Sequence, residues 1–214
     1  SLDQFDYVIV GAGAAGSVMA DRLSADGRST VLLLEAGGRN LRLLTSVPKA
    51  FFFTAYKPSM SKFFTKTFTT NEVAPGVREH WTRGRMLGGS TEINGMVWNR
   101  GWQPDYDAIE AAGNPGWNWT TFVDAFKRLE DHEFGATDIR GAGGSFHISR
   151  PRPDDLTVER FFEAARSMGV ETVQDLNDSD AERAGYTMSN IRRGPRDGAD
   201  RAFLQQARKR PNPT

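Results

Sequence analysis

The segment that decides the fold is YVIVGAGAAG at residues 7–16, a short apolar run that leads directly into a Gly-x-Gly-x-x-Gly sequence. A continuous apolar run of this length is typical of a buried strand, and the glycines predict a tight turn into a helix. Ala15, Met19 and Leu23 recur at four-residue spacing, which indicates that helix. A second apolar run, VLLLE at residues 31–35, follows. We therefore predict a β-α-β unit.

Both apolar runs are continuous and do not alternate with polar residues. Strands of this kind are typical of a parallel sheet that is covered on two faces by helices. The predicted fold class is therefore α/β, with a Rossmann-like, doubly wound parallel sheet. Further along the chain, a helix is expected to begin after Thr120 or Thr121, and a last helix near Asp200.

Composition restricts the classes of partner and chemistry. The 214 residues carry 27 Lys and Arg against 27 Asp and Glu, which removes the general electrostatic argument for binding nucleic acid. The chain has no cysteine, so thiolate metal sites are excluded and redox chemistry requires a bound cofactor. No apolar run approaches the roughly 18 residues that span a bilayer, and the first residues do not resemble a signal peptide. We expect a cytoplasmic protein without a membrane span.

The three glycines of the first motif have distinct expected roles. Gly11 permits the tight turn, Gly13 lets the backbone approach a pyrophosphate, and Gly16 lets the helix pack closely on the strand. Glu35 is placed to accept hydrogen bonds from an adenosine ribose, and its charge disfavours the 2′-phosphate of NADP. Strand, helix and acid together favour a dinucleotide over a glycine-rich turn without a ligand. They do not distinguish NAD from FAD.

A second glycine segment makes that distinction. GRMLGGSTEINGM at residues 84–96, followed by Trp98, Gly101 and Asp107, resembles the first signature of the glucose-methanol-choline (GMC) family of FAD-dependent oxidoreductases. The resemblance covers nearly the whole chain. It includes residues 35–37 (EAG), 105–107 (DYD), 113–117 (GNPGW), 126–128 (FKR), 184–186 (AGY) and 202–204 (AFL), in family order.

The resemblance implies how FAD would be held. Backbone amides of residues 11–16 and 88–90 would bind the diphosphate, Glu35 the ribose, and residues 94–96 would lie along the isoalloxazine ring. Ile93 stands where covalently flavinylated members have a histidine, which implies noncovalent FAD. The cofactor-binding residues implied are Gly11, Gly13, Ala14, Ala15, Gly16, Glu35, Ala36, Arg85, Leu87, Gly88, Gly89, Ser90, Asn94, Gly95 and Met96.

The resemblance also implies the reaction: oxidation of a small-molecule alcohol by hydride transfer from the carbinol carbon to flavin N5. Family members are longer than this chain and carry a catalytic His, with a His or Asn partner, near the C-terminus. No catalytic residue is therefore assigned here, and the remainder of the enzyme is expected as further sequence or a companion chain. Two alternatives stay open: a non-oxidising relative, such as a hydroxynitrile lyase or fatty-acid photodecarboxylase, and a catalytically silent nucleotide-binding fragment.

The expected domain organisation has four parts. Residues 1–38 form the first β-α-β of the FAD-binding domain, and residues 39–107 form a flavin-covering excursion with the signature loop. Residues 108–190 form part of a second, substrate-binding lobe with returning segments. Residues 191–214 form a helix that leads back to the FAD domain.

Several conspicuous residues are expected to have ordinary roles. Arg85 has two alternatives, pairing with phosphate or tying its loop to a neighbouring carboxylate. The basic and aromatic stretch 39–68 either covers the cofactor or places its aromatics in the core, and nucleic acid is disfavoured. His132 is expected at a solvated helix end. The acidic stretch 175–180 lacks the glycine and glutamate of an EF-hand, so we expect a solvated turn and no metal site.

Overall fold

A computed structural model shows two compact units, Ser1–Gly95 with Gly194–Thr214, and Met96–Arg193, and each is described by itself. The side chains of residues 42, 63–67 and 78–80 lie outside the part of the structure that is described. The residues that the structure describes are 4–40, 42–67, 78–151, 155–178 and 182–212.

The predicted β-α-β unit is confirmed. Strand β1 (Tyr7–Val10), helix α1 (Ala14–Leu23) and strand β2 (Val31–Leu34) follow one another. The two strands pair in parallel, with Tyr7 opposite Val31. The carboxyl ends of both strands therefore lie at the same edge, next to the first glycine motif.

The predicted α/β fold class with a Rossmann-like parallel strand pair is confirmed. Coverage of the sheet on both faces, which the apolar runs predicted, is not observed among the described residues. Ile9 and Val31 are buried, whereas Val8 and Val10 are 57% and 84% exposed. The reason is that the sheet has two strands among the described residues, and α1 packs against them. The buried side of α1 also differs from the apolar stripe. It consists of Gly16, Ser17, Ala20 and Asp21, and leaves Met19 half exposed.

The excursion after β2 contains regular structure that the sequence pattern did not indicate. Two seven-residue strands pair as an antiparallel hairpin, with Ser61 opposite Gly84. Phe52, Phe53 and Tyr56 are largely exposed, so placing all aromatics of this stretch in the core is wrong. The elements are α2 (Arg42–Thr45), a 3₁₀ turn (Pro48–Ala50), α3 (Phe51–Tyr56), β3 (Ser61–Thr67), β4 (Arg78–Gly84) and a second 3₁₀ turn (Gly89–Glu92).

The last helix begins at Asp200, as expected. Its first turn is a π-helix, Asp200–Leu204, which continues as a short helix at Gln205–Ala207. The predicted apolar side, Phe203, Leu204 and Ala207, is buried. It packs on α1, and Leu204 joins the core formed by Ile9, Ala12, Ala20 and Val31.

The second unit has three longer helices and short strands that pair as β5 with β10, β6 with β7 and β8 with β9. Its second helix begins at Trp119, so the predicted start after Thr120 or Thr121 is wrong. The helix starts earlier because Asn118 caps it: Asn118 Oδ1 accepts from the Thr121 amide at 3.0 Å. The elements are β5 (Val97–Trp98), α4 (Gln103–Ala111), α5 (Trp119–Leu129), β6 (Glu130–His132), β7 (Phe146–Ile148), α6 (Leu156–Ser167), β8 (Glu171–Val173), β9 (Arg183–Gly185) and β10 (Met188–Ser189); the closing helix Gln205–Ala207 of the first unit is α7.

The second unit contains two buried polar contacts that involve a carboxylate. Arg100 forms a bidentate pair with Glu130, and both side chains are about fully buried. His132 contacts Asp175 at 3.1 Å with both side chains buried, so the expected solvated helix end at His132 is wrong. The solvated turn is likewise wrong at Asp175, and residues 179–180 lie outside the described part. These polar side chains can be buried because each has a hydrogen-bonding partner.

Candidate functional site

A groove of about 730 Å³ opens at the carboxyl ends of β1 and β2. In open α/β sheets, ligands bind outside the carboxyl ends of the strands. Both glycine segments contribute to this groove. Its lining residues are Val10, Gly11, Leu34, Glu35, Ala36, Lys62, Arg83, Gly84 and Arg85.

The turn between β1 and α1 is shaped by two of its glycines. Gly11 has a φ of 97°, a left-handed conformation that favours glycine, and its amide donates to the Leu34 carbonyl at 2.7 Å. A Cβ on Gly16 would overlap the Gly11 carbonyl oxygen. The helix can therefore approach the strand only because residue 16 has no side chain, as the sequence predicts.

The middle glycine of the motif, Gly13, faces open space. Gly13 is the N-cap of α1, and a Cβ added to it would have no protein atom within 4 Å. No side chain of the described residues caps the first turn of α1, and Ala14 and Ala15 are exposed. Amides at a helix N-terminus are suited to bind an anion. The geometry therefore fits a phosphate group that approaches the main chain at Gly13.

Glu35 joins the first glycine segment to the residues that follow β2 through two hydrogen bonds. Its Oε2 accepts from the Ala12 amide and its Oε1 from the Gly37 amide, both at 2.8 Å. A carboxylate offers about four acceptor positions, so these two bonds leave capacity for ribose hydroxyls. The neighbouring Ala36 is exposed in the groove.

The second glycine segment lies directly on the first. The Gly88 amide donates to the Ala12 carbonyl at 2.8 Å, and the Leu87 amide to the Gly38 carbonyl at 3.2 Å. A Cβ on Gly89 would stand 2.7 Å from the Gly13 Cα. The backbone of residues 88–89 can therefore reach the N-terminus of α1.

Other contacts fix the shape of this second segment. A Cβ on Gly84 would overlap the Gly89 carbonyl, and one on Gly88 would overlap the Glu92 side chain. The exposed Ser90 accepts from the Gly84 amide through its Oγ at 3.1 Å. The segment thus needs its glycines for its own packing.

Glu92 is a buried carboxylate within the second glycine segment, and sequence reasoning missed it. Burial raises the pKa of Glu92, although hydrogen bonds from the Asp200 amide and the Asn40 side chain oppose this. Asp200 is also buried and its charge raises the pKa of Glu92 further, whereas Arg196 lowers it. No local sequence pattern joins these residues, because they lie in three distant stretches.

Asn94 is held by Arg196, which sequence reasoning also missed. The guanidinium donates to Asn94 Oδ1 and to the Asn94 carbonyl, both at 2.7 Å. Burial lowers the pKa of Arg196 to about 10, with Glu92 opposing, so the group stays charged at neutral pH. Gly95 is exposed beside Asn94. Met96 is buried with a φ of 62° and is the first residue of the second unit.

Three cationic side chains line the groove: Lys62, Arg83 and Arg85. Of the two alternatives for Arg85, a tie to a carboxylate is not observed, since no carboxylate of the described residues forms an ion pair with it. Lys62 and Arg83 come from the hairpin β3–β4, whose pairing joins residues far apart in sequence. Only the excess of basic residues in that stretch could have indicated them.

The histidines whose side chains are described have carboxylate partners in the second unit. His132 contacts Asp175, and His147 contacts Asp131 at 2.9 Å. The side chain of His80 lies outside the described part. Among the described residues, no group of three His, Cys, Asp or Glu side chains forms a candidate metal site. None of the described helices combines the length and apolar character needed to cross a membrane.

Known proteins resemble this chain over nearly its full length. It is 38% identical over 209 residues to the oxygen-dependent choline dehydrogenase of Brucella anthropi, covering 97% of this chain and 37% of that protein. The fold matches pyridoxine 4-oxidase from Mesorbium loti at a TM-score of 0.87 and 34% identity, over 99% of this chain and 42% of that one. An FAD-dependent oxidoreductase from Chaetomium thermophilum matches at a TM-score of 0.82 and 27% identity, over 98% and 37%.

The chain spans less than half the length of these proteins. A family model described as GMC oxidoreductase matches residues 5–214. That range contains both glycine segments, the groove and the last helix. The chain therefore belongs to the GMC oxidoreductase family, with FAD as its cofactor.

Proposed function

We propose that this chain supplies the FAD-binding part of an enzyme that oxidises a small-molecule alcohol. The observation that carries the proposal is the meeting of two glycine segments beside one groove that also contains Glu35. Such a groove suits a dinucleotide, because main-chain amides and a carboxylate recognise its diphosphate and ribose. The first unit is proposed as the FAD-binding domain and the second as part of a substrate-side lobe. The unit boundary at residues 95–96 lies before the predicted start of that lobe at residue 108.

The proposed contacts follow the chemistry of each residue. Amides of residues 13–15 and of Ser90 bind the diphosphate, and Gly11 and Gly16 shape the turn that presents the first group. The Gly88 and Gly89 amides donate to the Ala12 and Met86 carbonyls, so these two glycines bring the backbone close without donating to the diphosphate. Glu35 binds the ribose, with Ala36 beside it. Arg85 pairs with phosphate, which its position in the groove supports. Residues 94–96 are proposed along the isoalloxazine ring, and Leu87 supports the segment by packing against the core.

FAD, when bound noncovalently, supplies at N5 the acceptor for a hydride from the carbinol carbon. The chain's own part is to bind and orient that cofactor. The catalytic base, a histidine, is proposed to lie outside these 214 residues. The support for this is that the chain spans 37% of the choline dehydrogenase it resembles.

The relatives bear on the alternatives. They are named for dehydrogenation and oxidation, which supports alcohol oxidation over lyase or photodecarboxylase chemistry. An alcohol as the substrate class and a cytoplasmic location are part of the proposal.

The test is a titration with FAD of the cofactor-free enzyme that includes the proposed remainder with the catalytic histidine, followed by addition of candidate alcohols under anaerobic conditions. We expect quenching of FAD fluorescence on binding and bleaching of the flavin absorbance by an alcohol. FAD binding without bleaching by any alcohol contradicts the oxidase proposal. Absence of FAD binding contradicts the cofactor site itself and favours a silent fragment.

A further inference from the structure

Arg196 lies under the second glycine segment with 2% of its surface exposed. Its guanidinium makes two bonds to Asn94 and also donates to the Thr91 and Thr45 carbonyls, each at 3.0 Å. A planar group with five fixed donors can reach several acceptors at once, whereas a lysine ammonium cannot reproduce this fork. Arg196 therefore fixes both the backbone and the side chain of Asn94.

Two residues that follow Arg196, Ala199 and Asp200, also form hydrogen bonds with the second glycine segment. The Ala199 amide donates to Thr91 Oγ1 at 2.9 Å, and the Asp200 amide donates to Glu92 Oε1 at 3.2 Å. These contacts join residues that lie more than a hundred positions apart in sequence. The signature segment is thus held by the chain that returns to the first unit.

The contact with Arg196 determines how the Asn94 carboxamide is turned. A guanidinium donates hydrogen bonds and accepts none, so its neighbour must be the Oδ1 end of the amide. The Nδ2 end, which donates, then points away from Arg196. Asn94 itself is exposed, although its partner is buried.

We infer that Arg196 is a positioning residue, which orients Asn94 as a hydrogen-bond donor toward the flavin. This inference rests on the proposed function, because it places Asn94 beside the isoalloxazine ring. A donor there would stabilise negative charge on the reduced ring. Arg196 itself would touch no part of the cofactor.

The test is a double-mutant cycle on the intact protein, with Arg196→Lys, Asn94→Ala and the combined variant. The readouts are the Kd for FAD, from fluorescence quenching, and the visible absorbance spectrum of bound FAD. Each single variant is expected to weaken FAD binding about tenfold and to shift the flavin spectrum. The combined variant is expected to bind like the weaker single variant, because both changes remove one arrangement.

The matched control is Arg210→Lys. Arg210 also holds buried groups, Asp21 and Ser24, but at the C-terminal end of α1. The ten residues of α1 place that end about 15 Å from Gly13. We expect this control to keep the wild-type Kd and spectrum.

If the loss of FAD affinity in the combined variant equals the product of the two single losses, the inference is overturned. Wild-type FAD binding by a folded Arg196→Lys variant would also overturn it. Should Arg196→Lys not fold, Asn94→Ala decides alone, because Asn94 is exposed. Wild-type affinity and spectrum for that variant would also overturn the inference. Failure of the wild-type protein to bind FAD would instead contradict the proposed function, before any variant is compared.

Discussion

The two glycine segments differ in what fills the space beside them. At Gly13, a Cβ would meet no protein atom, whereas at Gly84 and Gly88 it would overlap the chain itself. Gly13 leaves room for something that is not protein, whereas Gly84 and Gly88 are needed for the packing of the second segment on itself. One residue type thus serves ligand access at one position and protein packing at another, and only the surroundings show which.

The largest expected effect comes from breaking the packing role within the first segment. Gly16→Ala would place a Cβ against the Gly11 carbonyl, and the helix would have to move off the strand. We expect the free energy of unfolding of the first unit to fall by about 3 kcal/mol. Urea unfolding of the intact protein measures this.

The control for this variant is Gly38→Ala, because Gly38 has an ordinary φ and open space around it. It should change the unfolding free energy by no more than about 0.5 kcal/mol. Equal unfolding curves for the two variants would show that the close approach at Gly16 is not required.

The second prediction separates ligand access from packing. Gly13→Ala meets no protein atom and should cost no more than about 1 kcal/mol of stability, as expected for alanine at an N-cap. Its methyl group would occupy the path of the diphosphate, so the Kd for FAD should rise about 100-fold. The measurement pairs an FAD titration with urea unfolding. A folded variant with wild-type affinity would contradict the ligand-access role.

The third prediction concerns Glu35, which joins the first segment to the start of the next. In Glu35→Gln, one side-chain end can no longer accept, so either the Ala12 or the Gly37 amide loses its partner. FAD affinity should fall about tenfold. Glu171→Gln, an exposed site in the second unit, is the control and should bind FAD normally. Equal affinity for both variants would remove Glu35 from the site.

The smallest expected effect is a pH dependence behind the second segment. Burial raises the pKa of Glu92 in the folded state, so the folded protein binds this proton more tightly than the unfolded chain. The stability contributed by Glu92 is therefore fullest below its ordinary pKa. This contribution to the free energy of unfolding declines as pH rises from the ordinary glutamate pKa through the raised pKa of Glu92, and it is constant at higher pH.

Glu92→Gln should remove this part of the pH dependence. Urea midpoints of both proteins, measured from about pH 4 to pH 8, should diverge from each other across the window above the ordinary glutamate pKa. Parallel curves would show that Glu92 has the same proton affinity in the folded and unfolded states.

The sequence predicted those features that depend on local patterns. The β-α-β unit, the role of Gly16 and the last helix at Asp200 all follow from apolar runs and glycines that are close together in the chain. The last-helix face of Phe203, Leu204 and Ala207 has the same local origin.

Features that depend on distant pairing were missed. The hairpin β3–β4, the burial of His132 against Asp175 and the contact of Arg196 with Asn94 each need a partner many residues away. Polar residues such as His132 look solvated in sequence, because a buried contact with a distant carboxylate has no local signature. The same limit explains the exposed strands: an apolar run indicates burial but does not identify what covers it.

The most direct test of the account is a crystal structure of the intact protein with FAD, in which the distances from the diphosphate oxygens to nearby amides are measured. The account predicts hydrogen-bond distances to the main-chain amides of residues 13–15 and of Ser90, with the ribose at Glu35. A diphosphate bound away from the N-terminus of α1, with Gly13 facing solvent, would contradict it.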